Sequence, residues 1–196
     1  MISDWIKPHE LLFNNLKPKI VLEFGLGEGS EFFLKNCQKL ISVEPYTTNQ
    51  ELIDTLHLPD LRWANLFKQV FSHYNNWIVV PYECKEAILK ADKEAQRGDK
   101  MQDPISQEYK KEIQDLVDKI CEEYHPDYAF VDHGLHLRGD FVNALFGRVK
   151  AIGAHDTNTK GSYGYHRVVS PADYIKEEYP DGEGTTFWIR NDISKS

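Results

Sequence analysis

The sequence predicts an α/β fold: a doubly wound, mainly parallel sheet with helices on both faces and an antiparallel strand at the C-terminus. Three observations carry this prediction. Short apolar runs of strand length alternate with amphipathic stretches, which is typical of βαβ units. Several of these runs end at glycine or proline. Neither an internal repeat nor a Gly/Ser-rich linker interrupts the alternation, so residues 1–196 are expected to form a single domain.

The first half of the chain contains three apolar runs with clear stop signals. The strands expected there lie at residues 19–24, 39–44 and 77–80. Glycines end the first strand, and Pro45 and Pro81 are expected to stop the second and the third. The expected helices lie at residues 8–16, within an N-terminal segment 1–18, at residues 31–35 and, as one or two helices, before Phe71.

The second half continues the alternation. The strands expected there lie at residues 127–132, 149–154 and 185–190, and the helices at residues 105–124 and 138–146. Apolar residues three and four positions apart give the first of these helices one buried face. Segment 93–103 is charged and interrupted by glycine, so a mobile loop is expected there. Segment 157–184 is rich in glycine and proline, which predicts mostly loop with one short helix.

The composition favours a soluble cytoplasmic protein. The chain carries 23 Lys and Arg against 31 Asp and Glu, a net charge of −8, so binding to nucleic acid or to a membrane surface is not expected. No apolar run approaches the length that spans a bilayer, and the first residues lack the pattern of a signal peptide. Cys37, Cys84 and Cys121 have no CxxC spacing, and reduced thiols are expected.

A glycine-rich turn joins the first strand to the next helix. Gly25, Gly27 and Gly29 follow Glu23 in this turn, and glycines let a ligand lie directly against the backbone. Glu44 ends the next strand, where a carboxylate can accept hydrogen bonds from both hydroxyls of a ribose. The pattern therefore predicts a site for a nucleoside cofactor.

Two nucleoside cofactors are compatible with such a turn. A nicotinamide dinucleotide requires Gly-x-Gly-x-x-Gly, because its pyrophosphate rests on the helix N-terminus. Here the third glycine comes one residue early, and Ser30 stands in its place. The acids Glu23 and Glu28 suit a cation, such as the sulfonium of S-adenosylmethionine, better than a pyrophosphate.

The run Glu-x-Gly-x-Gly-x-Gly, followed by a strand-end Glu, resembles the cofactor motif of class I S-adenosylmethionine-dependent methyltransferases, which have a Rossmann-like fold. The resemblance implies that Glu23, Gly25, Gly27 and Gly29 form the turn that packs against the methionine moiety. It also implies that Glu44 holds the ribose.

Two later runs resemble one subgroup of that family, the small-molecule O-methyltransferases related to macrocin O-methyltransferase. They run from Phe130 to His136 and from Gly153 to Thr157. That subgroup has an Asp-Gly-x-His-like signature, and His136 lies one residue later than the histidine of that signature. The resemblance implies methyl transfer to a hydroxyl of a small molecule or sugar.

Acids at strand ends converge on one crevice in an open α/β sheet, so Asp132 and Asp156 are expected near the cofactor. Methyl transfer needs a deprotonated acceptor, and two routes to it are open. In one, Asp132, Asp156 and Asn158 hold Mg²⁺, as the resemblance to metal-dependent catechol-type relatives implies. In the other, His136 or His133 removes the proton.

Two other functions are compatible with the sequence. One is a nucleoside-binding protein without catalysis, because only residues 185–190 form a convincing C-terminal strand where methyltransferases need two. The other is an NAD-dependent oxidoreductase, although no Tyr-x-x-x-Lys pair is present. The expected partner is a small-molecule acceptor, whose identity the sequence does not give. A homo-oligomer is compatible with the same data.

Overall fold

One sheet organises the part of the chain that the computed structural model describes, residues 5–50, 53, 61–95, 103–158 and 162–193. Its strands are β1 (Ile20–Phe24), β2 (Lys39–Tyr46), β3 (Trp77–Glu83), β4 (Tyr128–Val131), β5 (Ala151–His155), β6 (Tyr174–Tyr179) and β7 (Thr185–Arg190). The α-helices are α1 (Ile6–Leu16), α2 (Ser30–Asn36), α3 (Leu61–Val70), α4 (Glu86–Ala95), α5 (Glu108–Tyr124) and α6 (Arg138–Leu145). A 3-10 segment, Ser162–Arg167, follows β5.

The strand order is β3-β2-β1-β4-β5-β7-β6. The first five strands pair in parallel, and β7 lies antiparallel between β5 and β6. The order reverses between β1 and β4, and this switch point is where ligands bind in open α/β sheets. The predicted fold class, with its antiparallel C-terminal strand, is confirmed.

Helices cover both faces of the sheet. Val21 and Leu40 are buried in one apolar cluster with residues of α1, α2 and α3. Their neighbours Leu22 and Ile41 are buried in a second cluster with residues of α4, α5 and α6. Successive strand residues point to opposite faces, so strands apolar on both sides require a helical layer on each.

The predicted stops at Pro45 and Pro81 are wrong, because β2 continues to Tyr46 and β3 to Glu83. The pairing of β1 with β2 ends at Val43, so Pro45 is paired with β3 only. Pro81 lies on β3, which is an edge strand. A proline is tolerated at such places because its missing N–H leaves no ladder hydrogen bond unmade.

The segment expected to be loop before β7 contains a strand, β6. Its residues pair antiparallel with those of β7, from Tyr174 opposite Arg190 to Tyr179 opposite Thr185. Four consecutive residues of β6, from Ile175 to Glu178, are exposed. Exposed charged side chains such as those of Lys176, Glu177 and Glu178 are typical of an edge strand rather than of a half-buried strand. The C-terminal hairpin therefore has both strands, which removes the argument for a protein without catalysis.

The long helix starts later than predicted, at Glu108, because Ile105 is 87% exposed and takes no part in the buried face. The stripe residues from Tyr109 to Cys121 are buried as expected, whereas Tyr124 at its end is only partly buried. Helix α4 was not predicted, and it extends to Ala95, so the first residues of the predicted mobile loop are helical. Residues 96–102 of the predicted mobile loop lie outside the described residues.

The helices and the cysteines of the described part of the chain can be compared with the expectations from composition. None of its helices combines the length and the apolar character needed to cross a membrane. All three cysteines are free thiols, and Cys84 and Cys121 are buried.

Candidate functional site

The turn after β1 is held against the end of β4. Gly25 has φ +92° and donates its N–H to the carbonyl of Val43 at 2.9 Å. A Cβ built on Gly25 would lie 2.6 Å from the carbonyl oxygen of Asp132 and from the backbone of His133. Only glycine allows both this conformation and this approach, so the turn brings the two predicted motifs together.

A cavity of about 250 Å³ opens at this turn. The predicted site residues that line it are Glu23, Gly25, Gly27, Gly29 and Asp132. Aromatic side chains border it, and Trp63 donates its indole N–H to the carbonyl of Leu26 at 2.7 Å. The cavity is at the switch point of the sheet, where the sequence placed the cofactor.

The two predicted cofactor acids are both buried, each with about 2% of its surface exposed. Glu23 accepts a hydrogen bond from the Ser42 hydroxyl. Glu44 accepts one from the N–H of Leu26 at 2.7 Å, and it is not among the residues that line the cavity. Burial raises the pKa of Glu23 and of Glu44 to about 8 in each case.

The stability of the protein is expected to fall as the pH rises from 6.5 to 8. An unfolded glutamate ionises near pH 4.5, whereas Glu23 and Glu44 stay protonated to about pH 8 when folded, so folding is favoured at low pH. Buried His9 and His133, whose pKa values are lowered by burial, act in the opposite sense below pH 6.5. The slope is at most about 1.4 kcal/mol per pH unit for each carboxyl.

Urea denaturation at several pH values measures this slope. The Glu23→Gln variant is the matched comparison, because it keeps the shape of the side chain and cannot ionise. It should retain about half of the slope between pH 6.5 and 8. An identical slope in both proteins would show that Glu23 does not titrate as its burial indicates.

Arg138 joins the two aspartates that were predicted to bind a metal. Its Nη1 donates to Oδ1 of Asp132 at 2.8 Å and to Oδ2 of Asp156 at 2.9 Å. The imidazole Nδ1 of His155 lies 3.5 Å from Asp132 and 3.4 Å from Asp156. The ends of β4 and β5 bring these acids together as predicted, whereas the arginine between them was not predicted.

Several contacts hold the guanidinium in place. Nε of Arg138 donates to the carbonyl of His133 at 2.6 Å, and the guanidinium carbon lies 3.8 Å from the centre of the Tyr163 ring. Gly139 permits this arrangement, because a Cβ there would lie 2.1 Å from the carbonyl oxygen of Gly164. The Ser162–Arg167 segment can therefore lie directly on α6.

The acid pair does not fit a divalent metal ion as it stands. Donor atoms of Asp132, His155 and Asp156 lie within 4.8 Å of one another, which suits an ion in the type and spacing of donors. However, Nη1 of Arg138 lies between the two carboxylates at hydrogen-bond distance from both. An ion bound to both oxygens, about 2.0–2.1 Å from each for Mg²⁺, would take the place of that nitrogen.

Asn158, the third predicted metal ligand, has its side chain in the turn between β6 and β7. Its amide nitrogen donates to the carbonyl of Pro180 at 2.5 Å. Its backbone N–H donates to the carbonyl of Glu183 at 3.0 Å. These bonds give the side chain a structural role in closing the hairpin.

The two histidines predicted to be catalytic have different surroundings. His133 is buried, and its Nδ1 accepts the N–H of Leu135 at 3.1 Å, while its ring meets the Phe141 ring edge-on. Burial lowers the pKa of His133 well below its usual value, so this ring is neutral. No partner is recorded for its Nε2 among the described residues, although this atom is buried.

His136 is partly open, with 24% of its side chain exposed. Its ring stacks on Tyr163 with centroids 5.4 Å apart, and its Nδ1 lies 3.6 Å from Oδ1 of Asp92. Asp92 is fully buried and also accepts the backbone N–H of His136 at 2.5 Å. Asp92 was not among the predicted site residues, although an acid between the buried residues Ile88 and Ala95 on one helix face is a detectable signal.

Comparison with known proteins identifies the fold but no close relative. No protein-family model matches the sequence, and no curated protein matches it either. Among solved structures, an O-methyltransferase from Bacillus cereus in complex with S-adenosylhomocysteine has a TM-score of 0.59 at 10% identity, covering 97% of this chain and 82% of that one. TomG, an O-methyltransferase of Streptomyces achromogenes involved in tomaymycin synthesis and solved with S-adenosylmethionine, has a TM-score of 0.55 at 11% identity, covering 97% and 81%.

A third match is a methyltransferase from Geobacter sulfurreducens, with a TM-score of 0.53, 13% identity and coverage of 97% of this chain and 80% of that one. At these identities the likeness concerns the fold. The chain has the Rossmann-like methyltransferase fold over nearly its whole length.

Proposed function

We propose that the protein is an S-adenosylmethionine-dependent methyltransferase that acts on a hydroxyl of a small molecule or sugar. One observation carries the proposal. The glycine turn, Glu23 and Asp132 surround a cavity at the switch point of the sheet, between the carboxyl ends of β1 and β4. Two of the solved methyltransferases described above hold the cofactor or its product, and they support the same cofactor. Membership of the macrocin-related subgroup stays a prediction.

The acids at the cavity suit the charge of the cofactor. S-adenosylmethionine carries a sulfonium and an ammonium group, and both favour nearby carboxylates. Glu23 lines the cavity and has a pKa near 8, so at neutral pH it is mostly protonated before the ligand binds. A bound cation favours ionisation of Glu23, and binding should therefore release a proton.

Glu44 remains our candidate for the ribose, with one structural requirement. Its carboxyl group accepts a hydrogen bond from the N–H of Leu26, and the indole N–H of Trp63 donates a hydrogen bond to the carbonyl of Leu26. Glu44 is buried and does not line the cavity, so the groups around it have to move before ribose hydroxyls can reach it. One carboxyl group can then serve both the turn and the sugar, because its oxygens keep acceptor capacity beside the bond from Leu26 and its protonated form can also donate.

The reaction itself needs a positioned acceptor and a base. The acceptor oxygen attacks the methyl carbon, the carbon–sulfur bond breaks with its electron pair going to sulfur, and the hydroxyl proton goes to the base. We assign the base to His136, because it is partly exposed, stacked on Tyr163 and supported by the buried carboxylate of Asp92. His133 is too deeply buried for direct contact with an acceptor.

Calorimetry with S-adenosylhomocysteine and with NAD tests the cofactor. We expect S-adenosylhomocysteine to bind at least about 100-fold more tightly than NAD, because the turn lacks the glycine spacing that a pyrophosphate needs. The His136→Gln variant should bind S-adenosylhomocysteine as tightly as the wild type does. In assays with S-adenosylmethionine and a panel of hydroxyl acceptors, the variant should form less S-adenosylhomocysteine than the wild type. Tight binding of NAD alone would replace the proposal by an oxidoreductase. Binding of S-adenosylhomocysteine without turnover on any acceptor would favour a nucleoside-binding protein.

A further inference from the structure

We propose that Arg138 is the resident cation of the Asp132–Asp156 pair and that methyl transfer at this site therefore proceeds without a divalent metal ion. The inference rests on the proposed function for its statement about methyl transfer. Its structural part, that the acid pair is occupied by a guanidinium, stands on the geometry of the chain alone.

The first argument is geometric. A single nitrogen, Nη1 of Arg138, lies 2.8 Å from an oxygen of Asp132 and 2.9 Å from an oxygen of Asp156. A metal ion shared by these two carboxylates would occupy the same position. The two cations are therefore alternatives at this site, because neither tolerates the other at such a distance.

The second argument is that the guanidinium is fixed from several sides. Only 5% of the Arg138 side chain is exposed. The carbonyl of His133 accepts a bond from Nε, the carbonyl of His155 accepts one from Nη1 at 3.3 Å, and the face of Tyr163 covers the guanidinium carbon. A metal ion can enter only if Arg138 loses these contacts and both ion pairs together.

The third argument is chemical. The planar guanidinium is always charged, and its fork of donors matches carboxylates and backbone carbonyls at the same time. A resident Arg138 holds Asp132, which lines the cofactor cavity, in a fixed position. The positioning that a metal gives its ligands is in this way supplied by a side chain, and deprotonation of the acceptor is left to a side-chain base.

Titration with Mn²⁺, followed by electron paramagnetic resonance, tests the inference on the wild-type protein first. We expect no saturable site that depends on the acid pair, and we expect methyl transfer to be unaffected by a chelator. A Mn²⁺ site in the wild type that disappears in Asp156→Asn would overturn the inference, whatever the variants of Arg138 show.

The Arg138→Met variant provides the positive arm. Once the guanidinium is gone, Asp132, His155 and Asp156 keep three donors within reach of one ion, so Mn²⁺ affinity should rise at least about tenfold. The Arg138→Met/Asp156→Asn double variant is the control and should lose the gain. Arg138→Gln replaces Arg138→Met if the latter does not fold, as judged by circular dichroism. A folded variant with no gain in affinity would contradict our placement of the guanidinium on the ion position.

The same samples separate this inference from the proposed function. Calorimetry with S-adenosylhomocysteine reports on the cofactor site, whereas Mn²⁺ binding reports on the acid pair. Absence of S-adenosylhomocysteine binding would remove the methyltransferase proposal and leave the result on the acid pair unchanged.

Discussion

The Gly25→Ala variant is expected to lose binding of S-adenosylhomocysteine and to be destabilised by about 2–4 kcal/mol. Gly25 has φ +92°, where an L-residue is strained. Its new Cβ would also lie 2.6 Å from backbone atoms of Asp132 and His133, which cannot turn away as a side chain can. The turn must therefore move off the end of β4, and the cavity between them changes shape. Urea denaturation and calorimetry measure the two effects.

Gly27→Ala is the matched control in the same turn. A Cβ at Gly27 has no atom within 4 Å, and its backbone is not in the left-handed region, so stability should stay within about 0.5 kcal/mol of the wild type. Gly27 lines the cavity, however, and the added methyl group should weaken the binding of S-adenosylhomocysteine at least about tenfold. Unchanged affinity in Gly27→Ala would show that the ligand does not lie against this turn.

The Arg138→Met variant is expected to lose about 2–4 kcal/mol of stability. The change leaves two carboxylates side by side without their cation, and like charges at this distance repel. Their side chains are 28% exposed in Asp132 and 18% in Asp156, so water compensates part of the loss. The expected loss of stability is therefore smaller than the largest losses that follow when one partner of a fully buried ion pair is removed. Urea denaturation at pH 7 and low salt provides the measurement.

Arg148→Met controls for the loss of an arginine as such. Arg148 pairs with Asp118 at 2.8 Å, but 45% of its side chain is exposed, so its loss should cost less than about 1 kcal/mol. Adding Asp156→Asn to Arg138→Met should recover part of the stability, because it removes one of the two repelling charges. Equal effects of Arg138→Met and Arg148→Met would mean that the acid pair does not depend on its arginine.

The fold was predictable because it depends on local patterns. Val21 and Leu22 are both apolar and neighbouring, which requires a sheet covered on both faces, and the structure confirms this. The errors occurred where pairing, rather than the local sequence, determines structure. Pro45 and Pro81 do not end their strands, because among the described residues each has a strand neighbour to bond on one side only. The charged strand β6 was missed because it is an edge strand whose partner comes later in the chain.

The candidate site was predictable in part. The glycines, Glu23 and Asp132 could be found because strand ends at one edge of a parallel sheet must lie close together. Arg138 reaches Asp156 just after β5, and Asp92 reaches the loop before α6, each through a contact between residues distant in sequence. No spacing along the chain indicates such contacts, although a buried acid on the apolar face of α4 is a usable signal for Asp92.

The sequence by itself determined the alternation of strands and helices, the glycine turn and the edge of the sheet at which the acids meet, because these follow from side-chain period and backbone conformation. The tertiary structure decided how the acids are used. It buries Glu44 against the N–H of Leu26 in the glycine turn after β1, and it places Arg138 between Asp132 and Asp156. The charge of a carboxylate is a property of the residue, but its partner is set by whichever group the fold brings within hydrogen-bond distance.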